Sequence, residues 1–452
     1  MALSANTVLE VRLTGSDTNG GGFVTGAAGT DWSQQDSPQY SVTDGVATGN
    51  TVVSSASAAF GTDVVGNLVY LQGGTGSLVA GWYQITARTS GSITLDRNVA
   101  AGTGITLKIG GALASPGQAG AIATVSGIRT YIKYNASPYV ATSASTNIAG
   151  GCVLGTSGTF WIGYDTVRGL YQLPSNRPTF RLNAGVSTAV LFAGTSNNYA
   201  LQSVILDCNN QTASRAGLMS GEYFNVKAMN GRWNTAGGVI QDNVAGRAIL
   251  VEVSNCTPTS TASALRMVGS AYFCWTHDNT IAASNHALVA LNAIGCLSYN
   301  NLGGGGFGSI AMALNCVSYG NAQHGFFPQN SGGTYMNCIA ESNGTMGWFG
   351  GTSRYTLINS ASYLNGTARS SVTTGAVFDI GAILGTGSFF TNAAAQDFTL
   401  NATAGAGALL RATGFPATLA GLAKYVDIGP IQHLDAGGGG GGSTGGQRVY
   451  VG

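Results

Sequence analysis

The chain has 452 residues, which is enough for two or three ordinary domains or for one elongated repeat domain. Lys, Arg, Asp and Glu make up only 8% of it and the net charge is +1, which argues against a nucleic-acid binder with a basic surface. No run of 18 apolar residues occurs, so we expect no membrane span, and the 70 glycines follow no G-X-Y period, which excludes collagen.

The N-terminal third does not repeat. Residues 1–45 are polar, with the stretches TGSDTNGGGF and DWSQQDSPQ, and predict an extended arm containing one or two strands. Residues 46–109 predict a small β module, because GNLVYLQGG and GWYQITARTSGSITLDRNV combine strand-forming residues with a hairpin signal at ARTSGS. The start, MALSANTVLEVRL, has neither a basic region nor a continuous apolar region, so no secretory signal peptide is recognisable.

Four heptads recur in the second half of the chain. GCLSYNN, NCVSYGN, NCIAESN and NSASYLN begin at Gly295, Asn315, Asn337 and Asn359, so the steps are 20, 22 and 22 residues. A unit of this length, containing two or three short strands, matches one coil of a parallel β-helix in which strands stack about 4.8 Å apart. The repeat therefore predicts an all-β parallel β-helix (solenoid) over residues 110–395.

The aligned heptads predict what lies inside the coil. Alternate residues of a strand share a face, so the small residues of each heptad form an interior stack of Cys274, Cys296, Cys316, Cys338 and Ser360. Packing is favoured over disulfides or a metal site because Ser360 fills the same place and no C-x-x-C pair occurs. The last residue of each heptad predicts a turn ladder of hydrogen-bonded side chains, formed by Asn301, Asn321, Asn343 and Asn365.

The opposite face of the same strands predicts an outer stripe of aromatic and polar groups. Its members are His277, Tyr299, Tyr319, Glu341 and Tyr363. Three interpretations remain open: a ladder that only stabilises the sheet, a contact with a neighbouring subunit, or a surface on which sugar rings stack.

The C-terminal part loses the coil period. Residues 396–433 predict a segment that caps the lower end of the solenoid, and residues 434–452 form a Gly-rich tail with six consecutive glycines.

The motifs together resemble a known superfamily. The N-C-x-x-x-x-N coils, the segment IAGGCVLGTSGTFWIGYDTVRG (148–169) and the closing DFTL and VDIGPIQH (426–433) are similar to the pectate-lyase-like right-handed parallel β-helix superfamily, which includes many phage tailspikes. The resemblance implies a right-handed, single-stranded parallel β-helix. It implies much less about activity, because this fold carries lyases, hydrolases, adhesins and inert fibres.

Residues for catalysis are scarce in the sequence. The acids of the repeat region, Asp207, Asp242, Glu252, Asp278 and Glu341, share no common column in the alignment. His277 and Asp278 are adjacent, and neighbouring strand residues point to opposite faces, so we expect a polar turn there rather than a catalytic pair. We therefore predict no catalytic residue, no metal and no cofactor.

These observations favour a structural function. The prediction is a virion or cell-surface protein, such as a fibre, spike or decoration protein, that assembles as a homo-oligomer (trimer or filament) or with other virion proteins and is located on a virion or an extracellular surface. The alternative is a tailspike-like protein that binds or degrades polysaccharide as a lyase or glycoside hydrolase, with an active site that two subunits can share. A non-catalytic adhesin is a third interpretation.

Overall fold

The structure is a computed structural model that describes residues 3–141, 159–187, 190–193, 199–234, 236–242, 244–258, 261–328, 332–350, 355–369, 377–380, 383–411 and 427–431. It is nearly all β and divides into two compact units, Met1–Asp207 and Cys208–Gly452. Among the described residues, no helix is long and apolar enough to cross a membrane.

The first unit contains an antiparallel sheet with its own core. Buried Val69, Ile85, Ile93 and Leu107 lie within this core. The hairpin predicted at ARTSGS joins the fifth and sixth strands, with Thr89 paired to Ser92. The strands of the sheet are Tyr40–Ala47, Val52–Ser54, Leu68–Gln72, Thr75–Gly76, Gly81–Thr89, Ser92–Leu95 and Gly102–Ile109.

The same unit also contains parallel strands that begin near the N-terminus. Thr7–Val11, inside the predicted arm, pairs in parallel with Arg129–Lys133 and antiparallel with Gly22–Val24. These residues are therefore part of a sheet, and all five residues of Thr7–Val11 are buried in it. The remaining strands of this unit are Tyr139–Ala141, Phe160–Tyr164, Thr179–Leu182, Val190–Ala193, Tyr199–Gln202 and Ile205–Asp207.

A single short α-helix is described in this unit, Pro116–Ile122, and a 3₁₀ turn spans Thr62–Val64. The helix begins where Ser115 accepts a hydrogen bond from the backbone N–H of Gln118 and proline occupies the first turn, which is a favourable N-terminus.

The second unit is a parallel β-solenoid built from three sheets, which we call sheets 1, 2 and 3 in the order in which each turn visits them. The all-β parallel β-helix predicted from the repeat is thus confirmed, and it has about 7 turns. Sheet 1 contains Arg215–Met219, Gly237–Asp242, Ala262–Arg266, His286–Val289, Gly305–Ile310, Phe326–Pro328, Met346–Trp348 and Thr367–Arg369. Sheet 2 contains Gly221–Phe224, Arg247–Ile249, Ser270–Tyr272, Asn292–Ile294, Met312–Leu314, Gly333–Met336, Tyr355–Ile358 and Val377–Ile380. Sheet 3 contains Lys227–Met229, Glu252–Ser254, Trp275–His277, Leu297–Tyr299, Val317–Tyr319, Ile339–Glu341, Ala361–Tyr363 and Ile383–Leu384.

The interior of the solenoid is filled by columns of like residues, one from each turn. In sheet 1, the rings of Phe307 and Phe326 are stacked with centroids 4.7 Å apart, and Trp348 continues the stack. The predicted Cys–Ser stack lies between sheets 2 and 3, and each of its five members is at most 1% exposed. The six described cysteines are free, and Cys152 lies outside the described residues. The backbone N–H of Cys338 donates to Ser360 Oγ at 3.3 Å, so serine fits this column by replacing the sulfur as acceptor.

The turn ladder runs along the end of sheet 3. Asn301, Asn321, Asn343 and Asn365 are linked by Nδ2–H···Oδ1 hydrogen bonds of 2.8, 3.1 and 2.9 Å. Positive φ occurs one residue before each ladder asparagine, as at Asn300 and Ser342. The ladder residues themselves keep ordinary backbone angles. Their side chains donate to backbone carbonyls of the preceding turn, as Asn321 does to Ser298 at 2.9 Å.

The chain after the last turn folds back onto the solenoid. Phe390–Asn392 and Asp397–Leu400 form an antiparallel pair, with 3₁₀ turns at Ala393–Ala395 and Gly407–Leu409. This C-terminal segment (residues 388–411 and 427–431) buries Phe389, Phe398 and Ile428 against Val317 and Ile339 of sheet 3. The sequence predicts that residues 396–433 cap the lower end of the solenoid. The described part of this segment instead covers the outer face of sheet 3, where its aromatic side chains pack against apolar residues of the strands.

Candidate functional site

The outer face of sheet 3 carries a cluster of polar side chains, formed by Lys227, Glu252, His277, Asp278 and Tyr299, which we call the sheet-3 cluster. Four successive strands supply it, because the parallel register places Lys227 beside Glu252, Ser254 beside His277 and His277 beside Tyr299. The cluster lines a cavity of about 420 Å³, which Gln396 and Phe398 of the C-terminal segment close on one side.

The imidazole of His277 lies at the centre of the cluster, between two carboxylates. Its Nε2 is 3.3 Å from Glu252 Oε1, and its Nδ1 is 2.8 Å from Asp278 Oδ2. The Nζ of Lys227 is 2.6 Å from the same Glu252 oxygen. The ring of Tyr299 lies parallel to the imidazole with centroids 4.7 Å apart, so the orientation of His277 is fixed on several sides.

The backbone after the strand brings His277 and Asp278 together. Asp278 has φ +53°, so the chain leaves the extended conformation there and the two adjacent side chains reach the same side. The expected polar turn is therefore present, and it also makes the hydrogen bond that strict strand alternation would prevent.

Burial and charge set the protonation of the cluster. Burial raises the pKa of Glu252, but hydrogen bonds from His277 and Lys227 outweigh this and lower it to about 2. Burial lowers the pKa of His277, but its hydrogen bonds with Glu252 and Asp278 raise it above the ordinary value of 6.5. The cluster thus favours the charged form of the imidazole. Asp278, whose side chain is 40% exposed, is the carboxylate most accessible to a ligand.

The outer stripe predicted from the repeat is divided by the C-terminal segment. His277 and Tyr299 belong to the sheet-3 cluster, whereas Tyr319, Glu341 and Tyr363 lie beneath the segment. Glu341 is 1% exposed and accepts hydrogen bonds from Ser388 Oγ at 2.6 Å and from the Phe389 N–H at 3.0 Å. Glu341 is thus covered by the chain itself, whereas Tyr319 and Tyr363 are only partly buried, and a glycan or subunit contact at these two tyrosines stays a prediction.

The other acids considered in the sequence do not join the cluster. Asp207 pairs with Arg181 at 2.7 Å, and Asp242 accepts hydrogen bonds from the N–H groups of Val244 and Gly246. Both therefore have structural partners. Among the described residues, no group of three or more His, Cys, Asp or Glu side chains could hold a metal ion.

Sequence reasoning missed the contributions of Lys227 and Glu252. Their turns lack the Cys signature, because valines (Val226 and Val251) precede these strands where Cys274 precedes the next one. Aligning the turns by their cysteines fails at Cys256, which does not lie in the interior stack. Its backbone N–H donates to Asn279 Oδ1, so Cys256 occupies a place in the column of the turn ladder. The signal that could have found them is the pattern K-A-M-N, E-V-S-N, W-T-H-D and L-S-Y-N, in which strand and turn recur without the cysteine.

Comparisons with known proteins give structural similarity alone. No family model and no curated protein matches the sequence. Among solved structures, the A-module of the mannuronan C-5 epimerase AlgE4 of Azotobacter vinelandii is 11% identical with a TM-score of 0.33, over 57% of this chain and 88% of that one. The tailspike gp49 of Pseudomonas phage LKA1 is 11% identical with a TM-score of 0.21, over 76% of this chain and 66% of that one. The Gp54 tailspike of Acinetobacter baumannii bacteriophage AP22 is 10% identical with a TM-score of 0.22, over 77% and 58%. At these values the similarity carries no argument about function.

Proposed function

We propose that the protein is polysaccharide-active: it binds a saccharide chain in the cavity on sheet 3, and the sheet-3 cluster transfers protons to or from the bound sugar. The observation that carries the proposal is the imidazole of His277 held between Glu252 and Asp278 in an open cavity. A cavity that combines aromatic rings with a few convergent polar groups is typical of a ligand site.

The proposed roles follow from the contacts. The imidazole of His277 can pass a proton through Asp278, the accessible carboxylate 2.8 Å from its Nδ1, to a glycosidic oxygen, and a positioned acid or base of this kind contributes about 10²–10⁴-fold to a rate. Lys227 and Glu252 hold the imidazole in place from one side, and the ring of Tyr299 supports it from the other. Trp275, which is only partly buried, offers an apolar face to a sugar ring at the edge of the same cavity.

The test is incubation of the purified protein with a panel of neutral and acidic polysaccharides. Binding is measured by calorimetry, and turnover by new reducing ends or unsaturated uronates. His277→Ala is expected to lower turnover at least about 100-fold. The matched control, Tyr272→Phe on sheet 2, is expected to leave turnover unchanged. Absence of both binding and turnover across the panel, or full activity in His277→Ala, would overturn the proposal.

We also retain the structural prediction that the protein serves as a fibre, spike or decoration protein on a virion or an extracellular surface and assembles with itself. Its low content of charged residues and its repeated coils support this prediction. The two proposals are compatible, since a surface fibre can carry a saccharide site on its side.

A further inference from the structure

The outer face of sheet 1 holds two arginines next to an indole ring. The guanidinium of Arg215 lies over the ring of Trp233, with its carbon 3.7 Å from the ring centroid. Arg215 is only 4% exposed, and its Nε is buried without a hydrogen-bond partner. Arg266 lies on the same sheet, and its side chain is exposed to solvent. We call Arg215 and Arg266 the sheet-1 arginine pair.

Two consecutive glycines place the arginines on either side of one backbone segment. A Cβ at Gly237 would lie 2.7 Å from Nη2 of Arg215, and a Cβ at Gly238 would lie 3.0 Å from Cβ of Arg266. Gly237 also has φ +129°, which other residues rarely adopt. A side chain at Gly237 would therefore occupy the space beside the guanidinium of Arg215, and one at Gly238 would press on the base of the Arg266 side chain.

The charge of the pair is not neutralised within the described part of the chain. Neither Arg215 nor Arg266 has a carboxylate partner there, in contrast to Arg247, whose Nε is 2.6 Å from Glu222. Burial and the nearby charge of Arg266 lower the pKa of Arg215 to about 10, so it remains charged at neutral pH. Burying a cation without an opposite charge is costly, which indicates that a ligand supplies the missing anion.

A cavity of about 390 Å³ adjoins Arg266 and adds the features of a sugar site. Ser263, Asn285 and Gln323 provide hydrogen-bonding groups, and Phe327 provides a half-buried aromatic ring. The rings of Phe327 and Phe349 are 5.3 Å apart, so the aromatic surface continues onto the next turn. None of its lining residues belongs to the cavity that the sheet-3 cluster lines.

We propose that the outer face of sheet 1 binds a carboxylate-bearing saccharide, with the uronate carboxylate on the sheet-1 arginine pair and the sugar rings on Trp233 and Phe327. Arginine favours this ligand because its planar guanidinium matches a carboxylate with two parallel hydrogen bonds. The aromatic rings favour a saccharide over a bare anion, because a sugar ring presents an apolar face that can pack on them.

The experiment compares three probes on the full chain: an oligogalacturonate, a sulfated dextran oligomer and a neutral dextran oligomer. Binding is measured by calorimetry at two salt concentrations. The wild type is expected to bind the oligogalacturonate with an affinity that falls with salt and to bind the neutral oligomer at least about 10-fold more weakly. Arg266→Gln is expected to weaken oligogalacturonate binding about 10-fold or more. Arg247→Gln, an exposed arginine of sheet 2, is the matched control and is expected to bind as the wild type does.

The outcomes separate this proposal from the one for sheet 3. Loss of binding in Arg266→Gln but not in His277→Ala supports the sheet-1 site even where the sheet-3 proposal fails. Unchanged binding in Arg266→Gln overturns the sheet-1 proposal whatever His277→Ala does. Failure of the wild type to bind the oligogalacturonate, or tighter binding of the sulfated probe, overturns it as well. Trp233→Ala, which leaves both charges in place, is expected to weaken saccharide binding, and equal affinity in this variant contradicts the stacking role.

Discussion

At the scale of single residues, the least conspicuous feature of the sequence is a buried carboxylate in the first unit. The side chain of Glu10 is 0% exposed, and it accepts hydrogen bonds from Arg12 Nε and Arg168 Nε, each at 2.8 Å, and from the hydroxyl of Tyr164. Arg168 also contacts Asp31 at 2.8 Å. This group joins Thr7–Val11 to residues 164–168 by charge, across the strand Arg129–Lys133 that pairs with both Thr7–Val11 and Phe160–Tyr164.

We expect Glu10→Gln to destabilise the protein by about 3–5 kcal/mol, because it leaves two largely buried arginines without their shared partner. The measurement is equilibrium unfolding in urea, followed by tryptophan fluorescence. Asp36→Asn is the control, because Asp36 is 51% exposed and lies 3.5 Å from Arg12, farther than Glu10 does at 2.8 Å. This variant should lower the free energy of unfolding by at most about 1 kcal/mol. Equal losses in the two variants would show that burial of Glu10 does not matter.

The sequence predicts residues that repeat and misses residues that do not. Cys296, Cys316 and Cys338 stand out because each turn needs a small group in the same interior place. The sheet-3 cluster is different, because Lys227, Glu252 and His277 belong to three residue types on three turns. No period marks them, and only the register of the strands brings them together.

At the scale of elements, the turn ladder is the device that fixes each turn on the next. Asn321 is 1% exposed and donates from Nδ2 to the carbonyl of Ser298 and to Asn343 Oδ1. It also accepts from the N–H and Nδ2 of Asn301. Its side chain thus satisfies buried groups of the turns on both sides.

Asn321→Ala is expected to lower the free energy of unfolding by at least about 2 kcal/mol, because each buried group left without a partner costs about 1–3 kcal/mol. The comparison is Leu302→Ala, an exposed position nearby, which should change stability by no more than about 0.5 kcal/mol. Calorimetric unfolding of both variants measures the difference. A cost for Asn321→Ala as small as that for Leu302→Ala would mean that the ladder does not stabilise the turns.

The C-terminal segment is an element whose docking should depend on pH. Burial raises the pKa of Glu341 above its ordinary value of 4.5, although hydrogen bonds from Ser388 and Phe389 act in the opposite direction. A carboxyl group with a raised folded pKa contributes stability that is fully present below the unfolded pKa and lost as pH rises through the folded one. The segment should therefore be held more tightly at a pH below 4.5 than at neutral pH.

Hydrogen exchange at the amide of Phe389, corrected for intrinsic rates, tests this prediction, because that N–H donates to Glu341. Protection is expected to fall as pH rises in the wild type. In Glu341→Gln the response should be flat, since no titrating group remains at the contact. If Glu341→Gln keeps the pH response of the wild type, a group other than Glu341 causes that response.

The docking of this segment also marks a limit of the sequence analysis. Its aromatic residues Phe389, Phe390 and Phe398 follow no coil period, so nothing in the sequence states which surface they cover. The exposure of the outer stripe depends on this segment, which lies outside the repeat and cannot be read from the period of the coils.

At the scale of the whole molecule, the prediction of self-assembly depends on the ends of the solenoid sheets. Thr367–Arg369, Val377–Ile380 and Ile383–Leu384 are the last strands of sheets 1, 2 and 3, and no described strand pairs with their far sides. An unpaired strand edge offers backbone donors and acceptors to another chain. Leu384, at this edge, is 70% exposed, which adds an apolar contact.

We therefore expect the wild type to form a discrete homo-oligomer or a filament, measured by light scattering after size-exclusion chromatography over a range of concentrations. Leu384→Lys should shift the mass toward the monomer, because charge on an edge strand opposes edge-to-edge pairing. Leu302→Lys is the matched control, since Leu302 is 62% exposed but lies on an inner turn, and its mass should equal that of the wild type. A wild type that stays monomeric at every concentration would contradict the fibre proposal. If Leu384→Lys leaves the mass of the oligomer unchanged, the interface does not include the edge at Leu384.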